Sequence, residues 1–185
     1  MACPITVTKF IGTISLGLLT GLSYSTSTIF VPSLSLLSTS TNASKSLKEA
    51  QRLHRKHSLR LANTANVCLL FAYSISPRHR KHPYLVWTSI MATVASYGVD
   101  YWFHRQDGFM AWIRSVTQDL GCLSMFTKFQ KKEDDIVVVE AEENVNGESV
   151  QRELENERRL QGVRTMFSGM ALSMGIIGLW GDRRP

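Results

Sequence analysis

The chain is poor in the residues that build covalent or metal frameworks. Its three cysteines, Cys3, Cys68 and Cys122, lie far apart with no CxxC pair. This argues against a disulfide scaffold and a cysteine-held zinc site, and it fits a reducing compartment. A phosphate loop, a dinucleotide turn after a strand, a nucleophile elbow and an HExxH helix are all absent. Two HxxH spacings occur, His54–His57 and His79–His82, but each stands among Arg and Lys with no acidic or cysteine third ligand. No metal, no cofactor and no catalytic residue is therefore expected. A cleavable leader is not expected either. Only Lys9 precedes the first apolar run, and no short apolar stretch leads to a small-residue cleavage site. The first segment should stay as an anchor.

Charge is scarce in long windows and crowded between them. No charged residue lies between Lys9 and Lys45. Further uncharged windows run 61–77, 83–99 and 165–181. Seventeen helical residues rise about 26 Å, slightly less than a hydrocarbon core of about 30 Å. The expected architecture is an all-α membrane protein with about four transmembrane helices, at 10–31, 61–77, 83–103 and 165–181. Its main partner is the lipid bilayer. The net charge of +6 does not call for nucleic acid. Six of the basic residues fall between Lys45 and Arg60 against the single acid Glu49, and they abut apolar windows. Attraction to headgroups accounts for them.

Between the last two windows the character changes three times. Over 109–127, Phe109, Trp112, Ile113, Val116, Leu120 and Leu123 recur at helical spacing, which predicts an amphipathic helix in the interface or capping the bundle. The stretch 130–147 is acidic apart from a short Ile136–Val139 island and reads as a linker. Over 148–164, Glu148–Arg152 and Glu155–Arg159 at i,i+4 predict a charged helix leading into the last window.

Two sets of residues stand out. Thr13, Gly17 and Gly21 are spaced by four, as are Ala171 and Gly175; such faces let helices approach closely. Asp100 is the one acid within 83–103. A carboxylate at a bilayer centre costs roughly 2.5–3.5 kcal/mol, so the expected place for Asp100 is the interface, with Tyr97, Tyr101 and Trp102 as an aromatic belt.

Thr8-Lys9-Phe10-Ile11-Gly12 continuing to Ser15-Leu16-Gly17-Leu18 and Gly21-Leu22, then Arg80-Lys81-His82-Pro83-Tyr84-Leu85, then Gly178-Leu179-Trp180-Gly181, together resemble the fungal autophagy-related protein 33 family. The resemblance implies a multi-pass protein of the mitochondrial outer membrane required for selective autophagy of mitochondria (mitophagy). The same family holds a sister outer-membrane protein of less clear role. An adaptor for the ubiquitin-like autophagy modifier would offer aromatic-x-x-aliphatic beside acids in an exposed strand. The acidic stretch 130–147 has no aromatic residue, so contact with the autophagy machinery is expected to be indirect. The expectation is a non-enzymatic scaffold or regulator, with self-association left open. The alternative is a small transporter or lipid-handling protein in which Asp100 is the lever.

Overall fold

The computed structural model describes residues 4–35, 40–76, 82–103, 105, 108–120 and 147–181. The expected linker 130–147, apart from its last residue, the end of the 109–127 helix, His79, Cys3 and Cys122 lie outside them. The described residues are helical throughout apart from short turns: α1 Pro4–Ser25, a π-helical turn Thr26–Phe30, α2 Val31–Leu34, α3 Ser40–Ile75, α4 Tyr84–Thr93, a second π turn Val94–Gly98, α5 Val99–Phe103, α6 Phe109–Leu120 and α7 Gly147–Gly181.

The first π turn has a chemical cause. Pro32 lacks an N–H, and its ring clashes with the carbonyl four residues back. Widening the helix over Thr26–Phe30 removes that clash and lets α1 run into α2 without a break.

Neighbouring long helices run antiparallel in a four-membered ring. Gly12 of α1 lies against Leu69 of α3, Asn66 of α3 binds Ser89 of α4, and Gly175 of α7 touches both Thr13 of α1 and Thr88 of α4. The core at this level is Leu16, Ala65, Leu69, Leu85, Ala92 and Ala171. A second core, Val31, Leu34, Ala43, Leu47, Val150 and Leu154, joins α2, α3 and α7 beyond the end of α5. The bundle therefore has a four-helix part and a three-helix stalk.

Helix α7 shows how one helix serves both parts. Val150, Leu154, Glu157, Gln161, Arg164, Ser168, Ala171 and Gly175 are all buried and alternate by four and three. That is the seam of a left-handed helix pair. Along it the chemistry passes from apolar to charged to small.

Small residues set the spacing at the far end. A Cβ on Gly178 would collide with the ring of Tyr84, and one on Gly12 would sit 3.2 Å from Leu69. Thr13, Gly17, Ala171 and Gly175 also face neighbouring helices, with Leu172 3.9 Å from a Cβ on Gly17. Gly21 is on the outside, where a Cβ would meet nothing within 4 Å. The Asn63 and Asn66 side chains, polar for an apolar window, are tied to the second π turn and to α4: Tyr97 Oη donates to Asn63 Oδ1 at 2.7 Å, and Asn66 Nδ2 donates to Thr93 Oγ1 at 3.0 Å.

Among the described residues two helices, Ile5–Leu34 and Gly147–Gly181, are long and apolar enough to cross a membrane, and their apolar 18-residue stretches have mean hydropathies of 1.5 and 1.3. The windows at 61–77 and 83–103 do not qualify by themselves. The first is fused to the basic half of α3, and the second is interrupted by Asp100.

Replacing Gly178 with Leu forces α4 and α7 apart. The thermal midpoint of the detergent-solubilised protein should fall by roughly 3–10 °C, as for other overpacked sites. Gly21→Leu should move it by less than about 2 °C. Equal effects at the two positions would contradict the packing described.

Candidate functional site: a buried charged cluster

Where the four-helix part meets the stalk, the interior is charged. Arg164 is 1% exposed and Asp100 2% exposed. Arg164 Nη2 lies 3.5 Å from Asp100 Oδ1, and Arg55 Nη2 lies 3.1 Å from Asp100 Oδ2. Trp112 of α6 donates its indole N–H to the same Oδ2 at 2.9 Å. One carboxylate therefore gathers α3, α5, α6 and α7.

Arg164 needs acceptors for its remaining N–H groups, and the second π turn supplies them. Nε donates to the carbonyl of Ala95 at 3.3 Å and Nη2 to that of Ser96 at 3.5 Å. A carbonyl has a second lone pair for such a donor, and π turns recur at functional positions.

The cluster continues toward the stalk. Glu157 accepts from Gln51 Nε2 at 3.0 Å and from Gln161 Nε2 at 2.6 Å. Gln161 Oε1 accepts from Arg164 Nη1 at 3.5 Å. These contacts orient the Gln161 amide, so its nitrogen also faces His54 Nδ1, at 3.2 Å. Arg164 Nη1 lies 3.4 Å from the same ring nitrogen. Both neighbours of Nδ1 are donors, so Nδ1 is the acceptor and the ring proton sits on Nε2. Burial first, then the charges of Arg164 and His57, lowers the His54 pKa to about 3, and the ring is neutral.

The residues grouped by sequence around Asp100 part company here. Asp100 points into the bundle. Tyr97 bonds to α3, and Tyr101 packs edge-on against Phe109 and Trp112, with ring centroids 5.8 and 5.3 Å away. Trp102 is 72% exposed. Asp100 avoids the expected desolvation penalty by pairing, with two guanidiniums and an indole, rather than by reaching water. Its partners were not legible as such, because Arg55 and Arg164 read as flanking charges of two other windows. Among the described residues no three His, Cys, Asp or Glu side chains stand close enough to hold a metal.

Two outcomes follow. Asp100→Asn leaves two enclosed guanidiniums short of their counter-charge, and should cost on the order of 3 kcal/mol of stability. Glu148→Gln, which breaks an exposed pair with Arg152, should cost less than about 0.5 kcal/mol. Thermal or denaturant unfolding in detergent reads both. The pH effect has a definite sign. The unfolded His54 binds a proton below pH 6.5, while the folded one does so only near 3. Its contribution is present above 6.5 and declines as the pH falls, by about 1.4 kcal/mol per pH unit once well below 6.5. His54→Gln should flatten the stability profile between those limits; an unchanged slope would contradict the buried neutral ring.

The cluster lies within a region of long sequence similarity. The family model of autophagy-related protein 33 matches residues 1–182. Autophagy-related protein 33 of Gibberella zeae is 32% identical over 184 residues, covering 98% of this chain and 93% of the relative. No solved structure matches the chain. Three short stretches singled out in the sequence also meet in space at the end of the bundle far from the stalk. Lys9 Nζ stands 5.8 Å from the centre of the Tyr84 ring, and that ring fills the place where Gly178 has no side chain. With nearly its whole length matched, the chain belongs to the autophagy-related protein 33 family.

Proposed function

We propose that this chain is a four-span protein of the mitochondrial outer membrane that serves selective autophagic removal of mitochondria without catalysing a reaction. The observation that carries the membrane part is an inverted distribution of side chains. Around a few buried leucines (Leu16, Leu19, Leu69 and Leu85), the interior of the four-helix part holds mostly small and hydroxylated residues: Ala65, Ala92, Ala171, Thr88, Ser96 and Ser168. The large apolar residues face outward on all four helices, among them Phe10 and Leu18 on α1, Val67 and Phe71 on α3, Trp87 and Ile90 on α4, and Ile177 and Trp180 on α7. A water-soluble bundle buries such groups, whereas a bundle in lipid exposes them and packs through small residues. The antiparallel register sets the four uncharged windows side by side, so α3 and α4 complete the belt begun by α1 and α7. Asp100 presents no obstacle, since its charge is enclosed and paired.

The autophagic part of the reading rests on family membership, and the mitochondrial part on the resemblance of its motifs. The polar stalk, with the basic half of α3 and the charged half of α7, supplies the surface for contact with other proteins. The non-enzymatic reading is supported by the cluster itself: its carboxylates and guanidiniums are engaged with each other and enclosed.

In cells lacking the chain, delivery of mitochondria to the degradative compartment should fall while bulk cytosolic turnover stays near normal. The protein should remain in the mitochondrial membrane pellet after alkaline carbonate extraction. Equal loss of both kinds of turnover would make it a general autophagy component, and release by carbonate would end the membrane reading.

A further inference from the structure

On the stalk the outward charges are unequally shared between the two long helices. Between 147 and 163, α7 exposes three acids, Glu148, Glu153 and Glu155, and three bases, Arg152, Arg158 and Arg159. Two pairs of them close within the helix at 2.7 Å, so this face is neutral. Helix α3 is different. Lys45, Lys48, Arg52 and Lys56 follow one another at three and four residues and so share one face, which Arg60 continues at the edge of the uncharged window. Lys45, Lys48, Arg52 and Arg60 are exposed and Lys56 is half-buried, while Ala43, Leu47 and His54 on the opposite face are buried. Against these five cations stands one acid, Glu49, which holds Arg52 by hydrogen bonds at 2.8 and 3.0 Å. Arg55, the remaining Arg or Lys of this segment, turns to Asp100.

The unbroken course of α3 decides what this stripe can reach. Measured from Arg60 at the belt edge, Arg52 lies about 12 Å farther out, Lys48 about 18 Å and Lys45 about 22 Å, at about 1.5 Å per residue. A helix tilt of about 20° shortens these distances by less than about a tenth. The headgroup layer extends only about 5–8 Å from the hydrocarbon. At physiological salt a charge is screened over about 8 Å. Attraction to headgroups, the sequence expectation for the whole basic run, therefore accounts for Arg60 and Lys56 but not for Lys45 and Lys48. Those two stand in water, in a row of like charges that repel one another until carboxylates approach. No residue from 45 to 60 is aromatic, so the stripe has no ring on which a nucleic-acid base would stack. Its rise per residue is that of any second α-helix, on which acids at the same spacing would meet cation after cation.

We propose that this face of α3 docks an acidic α-helix of a partner protein. Its carboxylates meet Lys45, Lys48 and Arg52 in turn, with Lys56 and Arg60 beneath them on the membrane side. The proposal rests on the reading of the stalk as the contact surface above an embedded belt, and its test fails separately from that reading.

The full-length protein is placed in phosphatidylcholine nanodiscs at about 0.15 M salt. Fluorescence anisotropy follows a labelled, alanine-based helical peptide with glutamates at three- and four-residue spacing. A scrambled peptide of the same composition, with glutamates on every face, should bind severalfold more weakly. Lys45→Gln, Lys48→Gln and Arg52→Gln together should weaken binding roughly tenfold, a few-fold for each exposed pair lost. Arg152→Gln, Arg158→Gln and Arg159→Gln remove the same charge from α7 and should change it by less than about twofold. Discs containing phosphatidylserine should bind the peptide within about threefold of the neutral ones. Equal loss from the two triple variants, or equal binding of the two peptides, would overturn the docking face. Suppression beyond about tenfold by phosphatidylserine would make the stripe a headgroup site instead. Failure to enter the discs at all would end the membrane reading, and with it the distances on which the proposal rests.

Discussion

The guanidinium of Arg164 is the group around which the rest is arranged. A charge enclosed to this extent is stable only if nearly every one of its N–H groups meets an acceptor. Asp100 supplies the counter-charge, the second π turn supplies two carbonyls, and Gln161 and His54 supply the remaining acceptors. Each of those residues sits on a different turn or a different helix. The requirement of one side chain therefore sets the depth of α4–α5 against α7, the rotation of α3, and the departure of Val94–Gly98 from regular α-helix. Trp112 extends the same constraint to α6, which docks on the carboxylate that Arg164 already holds.

Above and below this level the helices are held by different means. In the stalk, branched aliphatic side chains meet as in a soluble core. In the four-helix part Ala, Gly, Ser and Thr surround a few buried leucines, so dispersion between close backbones adds to the burial of Leu16, Leu69 and Leu85. The change takes place along single unbroken helices. α7 carries it on one face, from Val150 to Gly175, without any shift in spacing. The same helix thus packs through branched aliphatic side chains at one end and through small residues at the other.

Much of this was legible in the sequence, and the exceptions have physical causes. The helical class, the uncharged windows and the i,i+4 pairs of α7 follow from local pattern, because charge spacing and apolar length act within one segment. The charged cluster does not, because its members come from four segments and each taken alone looks like an ordinary flanking charge. Asn63 and Asn66 weaken the second window on hydropathy, yet they are the residues that clamp α3 to the second π turn and to α4. Glycine spacing marked Gly21, where an added Cβ would meet nothing within 4 Å, and passed over Gly178, which has no room for a methyl group. Whether a glycine is needed depends on what the neighbouring helix places opposite it, and Tyr84 is about ninety positions away in the chain.

The absence of any break in α3 and α7 has a mechanical consequence. At about 1.5 Å per residue, the part of α3 from Ser40 to Arg60 stands roughly 30 Å tall, and the matching part of α7 is nearly as long. Two stiff rods clamped together at mid-length have no hinge at which to fold over. Whatever seizes the top of the stalk is held at a fixed stand-off from the belt, and a sideways pull there becomes a tilt of the whole bundle. The molecule is built as a lever whose fulcrum is the paired charge at its waist.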